Sequence, residues 1–398
     1  MNSFMKKADF VLFVITLAGL SAFGPFVTDM YLPALPSLAE SFGSTDFWAR
    51  MTMSVCMAGL AAGQLLVGPM SDKYGRRAPL LFSMWLFVLS TIGCVFATDI
   101  YFFVLMRFFQ GVAGAGGIAL SRSISADKYS GLELARFLAI IAAVHSIAPV
   151  AAPVVGGVML SFYSWRAVFV CLALLGAVLL WLSYRVGESL PRERRSSLSF
   201  FGIFRLYGNV VCDRGAIFYI LQQGAMYSIL FGYISASPFI FENVYGLQPM
   251  AFSGVFALNA IGIGIGAAVS AKFSRRRTAV VCAGVGVLAA ALFGALAIVA
   301  DFGVYAVESS LFAMMFFFGL STPAAAAIVL DSQRENAGTA AALLGALPFF
   351  VGSLAAPLVG LGDIKTDFAF VIVGGGILSA LLAFVARAYQ KKFGPSVV

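Results

Sequence analysis

Apolar stretches of roughly 20 residues recur along the whole chain. A stretch of that length is what a helix needs to cross a hydrocarbon core of about 30 Å. About twelve such runs can be read, the first over 9–35 and the last over 367–388, so the expected fold is an all-α polytopic membrane protein with twelve transmembrane helices. Composition agrees: only 11% of residues are charged and 61% are hydrophobic. A typical soluble domain carries about 25% charged residues. The first run is long and passes into Tyr31-Leu-Pro-Ala-Leu-Pro36 without a clear cleavage site, so it is read as a retained helix and not as a signal peptide.

Lysine and arginine placement sets the expected orientation, because short basic loops stay cytoplasmic. One set of helix ends carries Lys73, Arg76, Arg77, Arg192, Arg194, Arg195, Arg275, Arg276 and Arg277, whereas the opposite set carries Arg50, Arg166 and Lys365. Both termini are therefore expected in the cytoplasm. The net charge of +8 is accounted for by this topology and implies no nucleic-acid partner. The five cysteines lack CxxC spacing and the chain has a single histidine, His145, so neither a disulfide nor a metal site is expected. No cofactor is called for, and the supply of catalytic side chains is too thin to suggest an enzyme.

The longest polar interval divides the chain near its middle. It implies an N-terminal half over 1–186, a cytoplasmic linker over 187–213 and a C-terminal half over 214–398. Two echoes support a duplication: Lys73-Tyr-Gly-Arg-Arg77 returns as Lys272-Phe-Ser-Arg-Arg276, and Ala151-Ala-Pro-Val-Val-Gly156 returns as Ala355-Ala-Pro-Leu-Val-Gly360.

Between the second and third runs lies Gly68-Pro-Met-Ser-Asp-Lys-Tyr-Gly-Arg-Arg77. Its Gly68, Asp72, Gly75, Arg76 and Arg77 resemble the loop signature of the major facilitator superfamily. That resemblance implies two pseudo-symmetric six-helix halves with substrate bound at their interface. A mechanical reading follows from charge: Asp72 would cap the N-terminus of helix eleven near Ala337, Gly338 and Thr339, with Arg76, Arg122 and Asp127 as adjoining contacts. Such a clasp would stabilise a cytoplasm-closed state. For the cations alone, topology is the simpler explanation.

The strongest ionisable residues inside the apolar runs, where charge is costly and usually faces a cavity or a partner, are Asp29 and Arg107. Asp29 lies toward the outer part of helix one and is expected to carry the coupled proton, with hydration at a helix end as the competing explanation. Arg107 opens Arg107-Phe-Phe-Gln-Gly111, which resembles the superfamily's fourth-helix signature at Arg107, Gln110 and Gly111, and the resemblance implies a role for Arg107 in proton coupling. Bracing of helices one and four is the alternative for Arg107. Helix five carries Pro149, Pro153, Gly156 and Gly157, resembling the antiporter motif of drug:proton exchangers, with Ala152 in place of the usual glycine. Physically, the prolines interrupt helix hydrogen bonds and the glycines allow close helix contact.

Asp29-Met-Tyr-Leu-Pro-Ala-Leu-Pro36, the double-proline helix and Glu188-Ser-Leu-Pro-Arg-Glu-Arg-Arg195 together resemble the Bcr/CflA branch of multidrug efflux proteins. The resemblance implies a monomeric, proton-coupled exporter of lipophilic small molecules, of bicyclomycin or chloramphenicol type, in a bacterial inner membrane and working by alternating access. Inward-facing polar candidates for the cavity are Tyr31, Gln64, Gln110, His145, Gln222, Gln223, Tyr227 and Asn259. For His145 a hydrogen bond to a neighbouring helix competes with a proton relay. Export of an endogenous metabolite or dipeptide is the alternative within transport, and a membrane enzyme or receptor the alternative outside it.

Overall fold

A computed structural model describes residues 7–195, 208, 210–333 and 337–393. Among the described residues the long elements are helices, as expected where no water is present to satisfy backbone N–H and C=O groups. They are α1 (Lys7–Asp29), α2 (Leu35–Ser41), α3 (Asp46–Tyr74), α4 (Arg77–Val95), α5 (Ile100–Lys128), α6 (Gly131–Leu160) and α7 (Trp165–Tyr184), followed by α8 (Arg214–Pro238), α9 (Pro249–Lys272), α10 (Arg276–Val299), α11 (Val304–Ser332), α12 (Ala337–Leu358) and α13 (Ile364–Phe393). Ten stretches among the described residues are long and apolar enough to cross a membrane, and α6 and α12 contribute shorter apolar stretches, Ile147–Leu160 and Thr339–Ala355.

Local chemistry sets the helix ends. The Asp99 carboxylate accepts from the Phe102 backbone N–H at 2.9 Å at the start of α5, and Asp213 accepts from Gly215 N–H at 2.7 Å at the start of α8. Pro249 opens α9, where its missing N–H has no intrahelical partner to lose. Between α3 and α4 the chain turns through Gly75 at φ +92°, a conformation that side-chain-bearing residues rarely adopt.

By packing, the chain forms two units, Met1–Tyr31 with Val55–Ser199, and Leu32–Ser54 with Phe200–Val398. In the first, α1 packs against α5, α6 and α7, and α4 against α5 and α7. Its core is built from large side chains such as Phe13, Leu17, Phe23, Met84, Phe87 and Leu179. The Phe23 and Phe87 rings meet edge to face at 4.3 Å. In the second, α8 packs against α11, α12 and α13, α9 against α11, and α10 against α11 and α13. Smaller residues dominate here, including Ala216, Ala279, Val280, Ala324, Ala325 and Ala383.

Both units use one device to bring helices together. A methyl group on Gly111 of α5 would strike the Cys56 carbonyl of α3, and one on Gly319 of α11 would strike the Ile263 carbonyl of α9. Close backbone approach through small residues is the main source of helix association where lipid is as apolar as leucine. The segment Leu32–Ser54 joins the second unit: the 3₁₀ turn Leu32–Ala34 packs on α8 and α9, and the Arg50 guanidinium lies 4.8 Å from the centre of the Phe239 ring.

Candidate functional site

In the first unit the two charges picked out from the apolar runs are linked through the backbone of α1. Arg107 is fully buried on α5. Its Nη1 donates to the Val27 carbonyl of α1 at 3.0 Å and to the Gln110 side-chain oxygen, and Gln110 in turn donates to Thr91 of α4 at 2.8 Å. The guanidinium carbon lies 4.1 Å from the Tyr31 ring centre and 5.8 Å from that of Phe169. Arginine is suited to this place, since its planar, weakly hydrated cation stacks on aromatic faces and donates in several directions at once. Its Nε and Nη2 have no hydrogen-bond acceptor.

Asp29, 6% exposed, ends α1 two residues beyond Val27. Its Oδ1 accepts from the Thr28 hydroxyl at 2.7 Å, and the same hydroxyl lies 3.0 Å from the Gly24 carbonyl. A hydroxyl has one proton, so Thr28 serves one of these acceptors at a time. Among the described residues no ion pair joins Asp29 to Arg107. The arginine instead grips the backbone that carries the aspartate.

The antiporter-like run meets the same place. Pro149 and Pro153 lie within α6, and Gly156 sits against the Met30 carbonyl, immediately after Asp29. Gly157 accepts at its carbonyl from Ser161 N–H at 3.2 Å near the end of α6. The side chain of His145, on the same helix, lies outside the described residues.

At the other end of the unit, the loop signature folds into a charge network. Arg76 donates through Nε to Asp127 Oδ2 at 3.0 Å, and through Nη1 to Asp72 and to Ser71 Oγ. Ser71 in turn donates to the Gly68 carbonyl at 2.7 Å. Arg77 donates to the Tyr184 carbonyl at 3.2 Å. Arg122 is exposed on α5, ahead of Asp127. Burial pulls the Arg76 basicity down, but the two carboxylates outweigh it and raise its pKa. Ala337 and Gly338, named above as the Asp72 counterpart, lie outside the residues whose side chains are described.

The hub of this network is a residue whose role the sequence reading missed. Glu188 Oε1 accepts from the backbone N–H groups of Arg76 at 2.8 Å and of Ser189 and Leu190 at 3.0 Å each, while Oε2 accepts from Arg77 N–H at 3.4 Å and Arg195 at 3.5 Å. Its carboxylate thus covers the positive N-terminal end of α4. Partial burial pushes its pKa up, but the backbone donors, followed by the Arg195 charge, prevail and hold it below the usual range. Ser189 completes the link by donating to Asp127 at 2.8 Å.

In the second unit, the paired glutamines are braces. Gln222 donates to Ser321 of α11 at 3.0 Å and Ser379 of α13 at 3.1 Å, and Gln223 donates to Gln222 at 3.3 Å. Tyr227 is half-buried edge-on to Phe318 at 4.9 Å, and in the first unit Gln64 is half-buried on α3. Asn259 of α9 donates to the Tyr233 hydroxyl of α8 at 3.0 Å and to Glu308 of α11 at 3.2 Å. Glu308 was not among the sequence candidates. It lies one turn into α11 and, with Asp301 upstream, reads as part of a polar helix end.

The comparisons with known proteins agree with this architecture. The family model of the Major Facilitator Superfamily matches residues 14–357. An uncharacterized MFS-type transporter, YdgK of Bacillus subtilis, is 33% identical over 87% of this chain and 88% of its own. A bicyclomycin resistance protein homolog of Haemophilus influenzae is 26% identical over 95% of this chain and 96% of its own. Among solved structures, the bacterial homolog of the human lysosomal transporter Spinster, in an inward-facing and occupied conformation, superposes with a TM-score of 0.74 at 17% identity, covering 98% of this chain and 99% of that one. A chain built from apolar membrane-length helices, carrying the loop signature as a folded charge network and matched by the family model over most of its length, belongs to the major facilitator superfamily.

Proposed function

We propose that the protein is a proton-coupled exporter of lipophilic drugs, working by alternating access in a bacterial inner membrane with both termini in the cytoplasm. The observation that carries this reading is Asp29, a carboxylate held almost completely buried within the first apolar span, on backbone gripped by Arg107 and packed against Gly156. An ionisable group at such a depth is costly and has a functional role by default. The relationship to a bicyclomycin resistance protein homolog supports a drug as the cargo.

The geometry supports a simple cycle. With a proton, the Asp29 carboxyl is neutral and Thr28 is free to bond the Gly24 carbonyl; without it, the carboxylate draws the Thr28 hydroxyl to itself. The proton therefore changes a bond within the last turn of α1, beside Gly156 of α6. Because Arg107 fixes Val27 and not Asp29, the aspartate can load and release its proton while the brace stays intact. Each proton moving inward supplies about 2.3 kcal/mol per 100 mV.

The test is drug-induced proton release in everted, respiring vesicles, followed by a pH-sensitive dye across a panel of lipophilic antibiotics. Wild type should discharge the gradient with one or more drugs, and Asp29→Asn, at equal membrane abundance, should not. A full signal from the variant would move the coupling elsewhere. No signal from wild type across the panel would turn the reading toward metabolite export.

A further inference from the structure

The second unit holds a polar cluster that the proton cycle does not use. Three helices supply one side chain each: Tyr233 from α8, Asn259 from α9 and Glu308 from α11. Tyr233 and Asn259 are each 1% exposed, and Glu308 is half-buried. Both bonds that Asn259 makes come from its amide nitrogen, at 3.0 Å to Tyr233 and 3.2 Å to Glu308. Two oxygens are left over. Asn259 Oδ1 and Glu308 Oε1 are both buried without a donor.

Buried acceptors of this kind are normally satisfied, and a buried carboxylate is normally paired. Among the described residues no lysine, arginine or histidine pairs with Glu308. Two acceptors, one of them a carboxylate, thus lie together where the described residues supply no paired cation. Next to them, the Tyr233 ring stacks on Phe256 with centres 5.6 Å apart and planes 14° from parallel, which provides a flat apolar wall. What fits is a group that brings N–H donors, positive charge and an aromatic or aliphatic body.

We propose that Glu308, Asn259 and Tyr233 form a recognition subsite for the cationic, N–H-bearing group of a lipophilic substrate. Glu308 supplies the counter-charge, Asn259 the neutral acceptor and Tyr233 the surface that orients both. The inference rests on the drug-export reading for the kind of molecule carried, and adds to it a preference for amines and amidines over neutral compounds.

The test compares two radiolabelled probes on the purified full-length protein in nanodiscs: ethidium, a planar cation with aromatic amino groups, and chloramphenicol, which is neutral. Glu308→Gln should weaken ethidium binding by about tenfold or more, as loss of a charge-assisted contact implies, and leave chloramphenicol binding within about twofold. Glu308→Asp should fall between Gln and wild type, and Tyr233→Phe should cost ethidium less than Glu308→Gln. Unchanged ethidium binding in Glu308→Gln would overturn the subsite, assigning the glutamate to bracing Asn259. So would equal loss of both probes, since the damage would then be to the fold. Wild type binding chloramphenicol but not ethidium would sink the subsite alone, whereas binding of neither probe would sink the drug-export reading with it.

Discussion

Arg107 illustrates what a single residue contributes inside a membrane span. Its Nη1 is held by a carbonyl and an amide oxygen and its plane lies over an aromatic ring, and among the described residues no carboxylate pairs with it, so neutralising a paired carboxylate is not expected to rescue its replacement. Arg107→Lys keeps the charge but loses the planar fork, leaving Val27 or Gln110 without its donor. The expected cost is about 1–3 kcal/mol, read as a lower melting temperature in detergent, together with a fall in transport. A Lys variant with wild-type melting and transport would show that charge alone suffices. Glu188 gives a pH-dependent counterpart. A carboxylate whose folded pKa is depressed stabilises the fold above its unfolded value and loses that contribution as pH falls through the folded one. Glu188→Gln should therefore lower the melting temperature at pH 7, and the gap from wild type should close as the pH falls through about 4 and below. A gap that persists in acid would mean that Glu188 acts through shape and not charge.

Among the elements, α6 and α1 depend on one atom-sized gap. Gly156 lies directly under the Met30 carbonyl, so Gly156→Ala must push α6 away from the turn that holds Asp29. Gly264 of α9 faces open space, and Gly264→Ala should be neutral or stabilising by up to about 1 kcal/mol, as for any exposed helical glycine. The pair separates packing from propensity: transport assayed in vesicles should drop for the first and hold for the second, and equal behaviour would remove Gly156 from the mechanism. The spans and this motif were legible in the sequence because hydropathy and proline-glycine spacing are local signals. The burial of Asp29 and Arg107 was legible for the same reason, as charges inside apolar runs. Glu188 and Glu308 were not. One sits in a charge-rich interval and the other near a helix end, settings in which a carboxylate is usually hydrated, and their roles come from backbone donors and side chains about 50 to 110 positions away.

For the molecule as a whole, orientation is the property most open to direct test. Cys212 is exposed just before the Asp213 cap of α8, whereas Cys56 and Cys94 are buried and Cys282 lies within a span. A membrane-impermeant maleimide should therefore label Cys212 in everted vesicles and not in intact cells, and a Cys212→Ser variant should lose that label. Labelling from outside the cell would reverse the topology inferred from lysine and arginine placement. The Glu188 hub bears on the whole molecule in another way. By bonding the backbone at Arg76 and Arg77 and the side chain of Arg195, it fastens the start of the interval after α7 onto the head of α4. The interval just after α7 is thus held like a cable with strain relief. A pull arriving at Arg195 is taken up at the head of α4 before it can unwind the last turn of α7.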